Sequence, residues 1–209
     1  MVASDAPAPF DDPAYLFEPW WPGTRVIAFV EDGTLRLQAA ELADVLGTFP
    51  ELAELPRHVG APAAVLDGVV LVLDGSGRPD RDLLRRRLLG AGRRAGRPAF
   101  IATDLLRASG RRLTRAPFRV RRERLAALLE TTDWCTTSRG YPGEGHMLAA
   151  AAANLGFASL SAYRLDAAHR SGRAGDAWLR VPIREASAVP PRLPPILAVF
   201  RRLPLEDAG

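Results

Sequence analysis

Residues 12–25 read DPAYLFEPWWPGTR and lead directly into two strand-like runs. The first run covers Val26 to Val30 and the second covers Thr34 to Gln38, with only Glu31-Asp32-Gly33 between them. An Asp-Gly pair between two apolar runs is a strong short-range signal for a β-hairpin. Ordered structure is therefore predicted to begin near residues 13–17 and to continue into antiparallel strands.

Helical and strand-like segments alternate along the rest of the chain. Leu42, Val45 and Leu46 have helical spacing, and Gly47 is expected to end that helix. Further helices are predicted over 80–89, 119–130 and 147–155. Strands are predicted over 64–73, with an interruption at Asp67-Gly68, and over 100–103, 159–165 and 178–183. The pattern is typical of an α+β fold with mostly antiparallel sheets flanked by helices.

Three regions are expected from the distribution of proline and of apolar residues. Residues 1–12 are acidic and rich in Pro and Ala, which predicts a flexible arm. Residues 13–185 form the predicted folded domain, and residues 186–209 form a Pro-rich tail that is expected to be extended. The start of the chain lacks a basic region followed by an apolar stretch, so it does not resemble a secretion signal, and a cytoplasmic location is the default expectation.

The basic residues are all of one kind. Lys and Arg together number 28, all 28 are arginine, and the formal net charge is +4. This balance is compatible with nucleic-acid binding but does not require it. The arginine excess is equally compatible with an effect of genome composition, because Ala, Gly and Pro are also abundant.

Common catalytic and metal-binding motifs are missing or stand in the wrong context. Residues 90–95 fit a loose dinucleotide fingerprint but follow a predicted helix instead of a strand, so a loop is the better interpretation. His58, His146 and His169 show no metal-ligand spacing, and a P-loop would require a lysine. The single cysteine, Cys135, is followed by Thr136, Thr137 and Ser138, which suggests a loop and gives little reason to expect a nucleophile.

Arginines cluster at 85–87, 93–94, 111–112 and 119–124. Such runs are most often solvated faces, but guanidinium groups also pair with phosphates. The predicted helix over 119–130 supplies the candidate nucleic-acid contacts, which are Arg119, Arg121, Arg122 and Arg124.

Six segments occur in an order that resembles a known family. Residues 12–25 resemble the start of the adenylation domain of ATP-dependent DNA ligases, most closely the bacterial end-joining type, whose signature is Glu-Pro-Lys-Trp-Asp-Gly-x-Arg. The later similar segments are VLDGVV (65–70), FIATDLL (100–106), the helix around 121–125, the segment 156–166 and WLRV (178–181). The resemblance covers roughly residues 12–183 and implies a ligase-type nucleotidyltransferase fold, which is ATP-grasp-like, with ATP and magnesium as its usual cofactors.

The departures from this family fall on its chemical residues. Trp20 stands at the position of the nucleophilic lysine, and Tyr163 and Pro182 stand where later motifs carry lysines. The other departures are Pro22, Val69, Thr103, Ala158 and Arg180. The resemblance therefore implies a degenerate domain with no catalytic residue, no metal site and no bound cofactor. Its vestigial nucleotide pocket would contain Glu18, Trp20, Arg25, Asp67, Thr103, Asp104, Tyr163 and Arg180.

The scaffold residues of the family remain. Gly23 and Gly68 are expected to keep tight turns, and Asp67 and Asp104 are expected to cap turns beside buried strands. Trp20 and Trp21 are expected to fill space that a nucleotide would otherwise occupy. The residues after Pro182 are too few for the oligonucleotide-binding barrel that the family normally adds, so encirclement of DNA is not expected.

The leading interpretation is an inactive pseudo-ligase that acts as a binding or scaffold module in DNA repair, with DNA or a protein as its partner. Two alternatives stay open at this point. One is a nucleotide sensor that binds without covalent chemistry, and the other is an enzyme of another class that reuses the cleft. Nothing in the sequence indicates a membrane partner or an oligomeric state.

Overall fold

The computed structural model describes residues 1–40, 42–91 and 94–183. The predicted Pro-rich tail over 186–209 lies outside these residues. The chain divides into two units. The first contains Met1–Trp20, Ala116–Arg119 and the segment from Ser138 onward, and the second contains Trp21–Arg115 and Val120–Thr137.

The first unit is built on a five-stranded sheet with the order β1-β11-β10-β2-β9. Its strands are β1 (Ser4–Asp5), β2 (Asp12–Pro19), β9 (Tyr141–Gly143), β10 (Ser159–Arg164) and β11 (Trp178–Pro182). All neighbours are antiparallel except β1, which runs parallel to β11. Helix α4 (Gly145–Asn154) packs on β2 and β10, and a short 3-10 helix (Gly175–Ala177) precedes β11. Gly156, with φ of +89°, follows α4 as predicted for a helix C-terminus.

The second unit is built on a six-stranded sheet with the order β4-β3-β5-β6-β7, and β8 is added beside β6. Its strands are β3 (Thr24–Glu31), β4 (Thr34–Gln38), β5 (Ala63–Leu73), β6 (Arg97–Ala108), β7 (Arg111–Arg112) and β8 (Cys135–Thr137). Its helices are α1 (Val45–Thr48), a 3-10 helix (Pro50–His58), α2 (Arg81–Leu88) and most of α3 (Phe118–Leu128). One face of this sheet is buried in an apolar core that includes Val26, Ala28, Leu66, Val70 and Leu125.

The α+β prediction and the predicted β3–β4 hairpin are confirmed. Asp32 and Gly33 have φ of 47° and 77°, the left-handed values that a two-residue hairpin turn of this kind requires. Asp is among the residues that tolerate this region, and Gly enters it without steric cost. The local sequence therefore determines this turn.

Several predicted boundaries are wrong. β5 runs unbroken through Asp67-Gly68, because Gly68 lets the backbone of β6 approach closely: a Cβ at this position would lie 2.6 Å from the Ile101 carbonyl oxygen. Gly68 therefore allows close strand contact instead of forming a tight turn. Gly23 does lie in a tight turn before β3, where its N–H donates to the Trp21 carbonyl at 3.0 Å and the carbonyl of Val70 lies close by. Gly47 lies inside α1 because α1 continues to Thr48.

The predicted flexible arm over 1–12 is also ordered in part. Ser4 and Asp5 pair with Leu179 and Arg180 of β11. The Val2 N–H donates to the Gly172 carbonyl at 2.7 Å, and the Ala6 N–H donates to the Arg180 carbonyl at 2.9 Å. The arm therefore pairs with an edge strand of the first sheet. No local sequence pattern predicts this pairing.

In the described ranges, no helix has the length and apolar character needed to cross a membrane.

Candidate functional site

One face of the first sheet collects half of the predicted pocket residues. Successive side chains of a strand point to opposite faces, so Glu18 and Trp20 share one face of the β2 segment. The Trp20 N–H donates to the Ser159 carbonyl at 3.0 Å and continues the ladder past the end of β2. In β10, Tyr163 pairs with Trp178 of β11 and Ser161 pairs with both Glu18 and Arg180. Register therefore places Glu18, Trp20, Tyr163 and Arg180 on one face.

This face carries a stack of aromatic rings, which we call the aromatic column: Trp20, Trp178, Tyr163 and Phe118. The ring centroids of Trp20 and Trp178 are 5.7 Å apart, those of Trp178 and Tyr163 are 5.4 Å apart, and those of Tyr163 and Phe118 are 4.5 Å apart. The interplanar angles are 18°, 9° and 18°, so each pair is stacked. Trp178, Tyr163 and Phe118 are buried, and Trp20 is half-buried.

A cation closes the open end of the aromatic column. The guanidinium carbon of Arg180 lies 5.0 Å from the centroid of the Trp20 ring, within range of a cation–π interaction. The Nε–H of Arg180 also donates to Ser159 Oγ at 3.3 Å. Arg180 itself is exposed, whereas Glu18 on the same face is buried. The face thus combines a buried carboxylate, a stack of rings and one solvent-facing cation.

The other predicted pocket residues lie in the second unit as two arginine–aspartate pairs. Arg25 Nε donates to Asp67 Oδ1 at 2.8 Å, and Arg25 Nη2 contacts Asp67 Oδ2. Arg121 Nε and Nη2 donate to the two oxygens of Asp104 at 2.8 and 2.9 Å. Both pairs are bidentate, the strongest geometry for a guanidinium and a carboxylate. The Arg121–Asp104 pair is almost fully buried, with side chains 1% and 4% exposed.

The two aspartates are direct cross-strand neighbours, since Asp67 of β5 pairs with Asp104 of β6. Like charges at such positions destabilise a sheet unless each is compensated. Each carboxylate has its own arginine, and Asp104 Oδ1 also accepts the Leu105 N–H at 2.8 Å. Thr103 lies at an irregularity between the two strands, where its Oγ1 donates to the Asp67 carbonyl at 3.3 Å. The expectation that these aspartates cap turns is wrong, because both lie inside strands and bind arginines.

The arginines of α3 do not form one surface. Arg121 is buried against Asp104, so its predicted role as an exposed nucleic-acid contact is wrong. Arg119 and Arg124 are exposed and Arg122 is half-buried. At about 100° per residue, Arg122 and Arg124 point about 200° apart around the helix. Spacing of two residues therefore separates their charges instead of clustering them.

Cys135 is a buried residue of β8, not a loop residue as its neighbours suggest. Thr136 and Thr137, which follow it in β8, could have indicated a strand, because β-branched side chains favour strands. Burial raises the pKa of the Cys135 thiol to about 12. The thiol therefore stays protonated and unreactive at neutral pH.

Sequence reasoning missed Phe118 and Ser159 as members of these arrangements. Phe118 enters the aromatic column from the start of α3, far along the chain from its partner Tyr163. The alternation of Ser159, Ser161 and Tyr163 in β10 was the available signal for Ser159, because it places all three on one face. In the described part of the chain, no three His, Cys, Asp or Glu side chains are grouped to hold a metal ion.

Two largely antiparallel sheets with these flanking helices have the architecture of a ligase-type nucleotidyltransferase domain. The homologues of the chain are ligase domains of ATP-dependent DNA ligases of the bacterial end-joining type, and its structural neighbours are ATP-dependent ligase adenylation domains. No protein-family model matches the chain.

The relatives support this assignment in both sequence and structure. The chain is 31% identical over 166 residues to the multifunctional non-homologous end joining DNA repair protein LigD of Mycobacterium tuberculosis. This match covers 79% of this chain and 21% of that protein. It is 32% identical over 148 residues to DNA ligase C1 of Mycolicibacterium smegmatis, and that match covers 66% of this chain and 42% of that protein. The chain thus spans between about a fifth and two fifths of these relatives.

Solved ligase structures share the fold. A mycobacterial DNA ligase D complexed with ATP and MES superposes with a TM-score of 0.73 at 28% identity, covering 87% of this chain and 59% of that chain. The ligase domain of M. tuberculosis LigD gives a TM-score of 0.72 at the same identity, covering 86% and 57%. The predicted ligase-type nucleotidyltransferase fold is confirmed.

Proposed function

We propose that this domain keeps the ligase scaffold but forms no covalent nucleotide intermediate, and that it serves as a binding or scaffold module in cytoplasmic DNA repair. The observation that carries the proposal is Trp20. It stands where the family resemblance puts the nucleophilic lysine, and its ring stacks on Trp178 beneath Arg180.

The chemistry of the available side chains supports this proposal. Covalent catalysis needs a side chain that can present a lone pair to the α-phosphate, and an indole has no usable one. Arginine stays protonated throughout the accessible pH range and is a poor nucleophile. Since the 28 residues counted as Lys or Arg are all arginine, no side chain among the 209 residues can supply a lysine amine.

The residues of the second unit do not fit a magnesium–nucleotide complex. Magnesium in phosphate sites is held through one or two carboxylates together with waters and phosphates. Asp67 and Asp104 are bound instead by the guanidinium groups of Arg25 and Arg121. A divalent cation would have to displace an arginine and leave its charge buried, which is costly at the Arg121 pair.

The binding role rests on charge and on relatives. The surface of the described chain carries many exposed arginines, and guanidinium groups are well suited to phosphate. The relative in M. tuberculosis is named a DNA repair protein. These points support DNA as one partner, and a protein of the same repair system is the other partner that the proposal includes.

A nick-sealing assay with ATP and magnesium tests the loss of ligase activity. We expect no sealed product from this protein at enzyme concentrations where the ligase domain of M. tuberculosis LigD, used as the positive control, seals the nick. Calorimetry with ATP provides a second readout, in which no micromolar binding is expected. Micromolar binding that disappears in Arg25→Ala would instead support the nucleotide sensor, and any sealing would contradict the proposal.

A further inference from the structure

A single row of side chains crosses the second sheet on the face opposite its core. Arg36 of β4 pairs with Phe29 of β3, and Phe29 pairs with Val65 of β5. Val65 pairs with Arg107 of β6, and Arg107 pairs with Arg112 of β7. Directly paired residues of a sheet share a face. We call these five residues the arginine row, and none of its arginines belongs to the candidate site described above.

The row has an uncompensated charge at one end. Arg107 and Arg112 are exposed and directly opposite each other. Within residues 1–40, 42–91 and 94–183, neither side chain has a hydrogen bond or an ion pair. Like charges at directly opposite positions destabilise a sheet. A tight turn at Ser109 and Gly110, with φ of 45° and 80°, nevertheless holds the two strands together.

The other end of the row is fixed by an aromatic ring. The guanidinium carbon of Arg36 lies 3.8 Å from the centroid of the Phe29 ring. Stacking of this kind orients a guanidinium and leaves the N–H groups along its edge free to bind a phosphate bidentately. Arg36 is exposed, and Phe29 and Val65 are half-buried. The middle of the row is therefore apolar and the two ends are positive.

We propose that the arginine row binds the phosphate backbone of duplex DNA, a site that deepens and rests on the proposed binding function. Adjacent strands lie about 4.8 Å apart, so Arg36 and Arg107 are separated by about 14 Å and Arg36 and Arg112 by about 19 Å. A duplex presents two phosphate strands on either side of a groove about 12 Å wide. Positive charge at two ends with an uncharged centre matches two phosphate strands better than a single anionic chain lying across the sheet.

The test measures the Kd of a short blunt DNA duplex at 50 and 200 mM monovalent salt. The variants are Arg36→Gln/Arg107→Gln/Arg112→Gln and the double variant Arg107→Gln/Arg112→Gln. The matched control is Arg85→Gln/Arg86→Gln on α2, which removes two exposed arginines elsewhere in the same unit. Since each phosphate contact contributes about 0.9 to the slope of log K against log salt, the triple variant is expected to lose about 2.7 of that slope. The wild-type Kd should then rise about forty-fold more than the triple variant's across this salt range.

Thermal stability and DNA affinity, measured on the same variants, separate DNA binding from a structural role. Removal of the Arg107–Arg112 repulsion should leave the Tm in low salt unchanged or raise it, while DNA affinity falls. Glu31 lies on the same face of β3 two residues from Phe29, so Glu31→Gln should tighten DNA binding.

Three results would overturn the inference. The first is that the wild-type protein does not bind the duplex, and the second is that the Arg85→Gln/Arg86→Gln control loses as much of the salt slope as the Arg107→Gln/Arg112→Gln variant. The third is that polyglutamate binds as tightly as DNA and depends on the same arginines. The last result would identify an acidic protein surface as the partner. None of these results bears on nick sealing, so failure of the arginine row and failure of the pseudo-ligase proposal are distinguishable.

Discussion

Replacing Arg121 by alanine is expected to lower the free energy of unfolding by about 3–5 kcal/mol. Arg121 holds both oxygens of Asp104, and the two side chains are only 1% and 4% exposed. Removal of the guanidinium would leave a carboxylate buried without its counter-charge and without its two strongest hydrogen bonds. Urea unfolding followed by circular dichroism measures this loss.

Two controls isolate the burial of the charge. The double variant Asp104→Asn/Arg121→Met removes both charges, keeps an acceptor for the Leu105 N–H and should recover most of the stability, because neutral replacement of a buried pair is often tolerated. The exposed pair Arg97–Asp133 is also bidentate, through Nη1 and Nη2, with side chains 53% and 56% exposed. Arg97→Ala should cost only about 0–1 kcal/mol, since exposed pairs are screened by solvent. Equal costs for Arg97→Ala and Arg121→Ala would contradict this account of the pair.

Replacing Trp178 by alanine is expected to cost about 3–5 kcal/mol, the usual range for a buried aromatic residue. Trp178 lies inside the aromatic column and stacks on both Trp20 and Tyr163, so its loss opens a cavity and removes two ring contacts. Stacked aromatic pairs contribute about 0.5–1.5 kcal/mol beyond their buried area. Urea unfolding gives the stability, and near-ultraviolet circular dichroism reports the stacking.

The end residue of the column provides the comparison. Trp20 is half-buried and has one ring neighbour, so Trp20→Ala should cost clearly less than Trp178→Ala. Trp178→Phe keeps a ring between the two partners and should fall between the wild-type protein and Trp178→Ala. If Trp20→Ala proved as damaging as Trp178→Ala, the column would not be organised around its buried centre.

The sequence predicts the features that are determined locally. The Asp32-Gly33 turn and the helices predicted over 80–89 and 119–130 follow from short-range patterns, and the structure has that turn, α2 and α3 at these places. The Asp80 carboxylate accepts the backbone N–H groups of Asp82 and Leu83, as expected for an N-cap.

The features that the sequence did not predict depend on distant partners. Arg25 and Asp67 meet only because β3 and β5 pair in one register, and no signal within either strand shows this. The same is true of Arg121. Its place in an arginine run suggested an exposed side chain, but in the structure it binds Asp104. Strand β1 was missed because its partner β11 lies at the far end of the described chain.

The family resemblance identified positions, whereas the structure shows what occupies them. From the sequence, Trp20, Tyr163 and Arg180 are three separate departures from the family pattern. The structure joins them: Trp20 and Tyr163 stack on opposite sides of Trp178, and Arg180 covers Trp20. These replacements are therefore members of one packed arrangement, which is why we expect their effects on stability to be coupled.

The most direct test of the central claim is the intact mass of the protein after incubation with ATP and magnesium. The account predicts a single species at the unmodified mass, under conditions in which the ligase domain of M. tuberculosis LigD gains one adenylate. Peptide mapping of the same sample would locate any modification that did form. A species heavier by one adenylate, mapped to any residue of this chain, would contradict the claim that the domain has no nucleophile for nucleotide transfer.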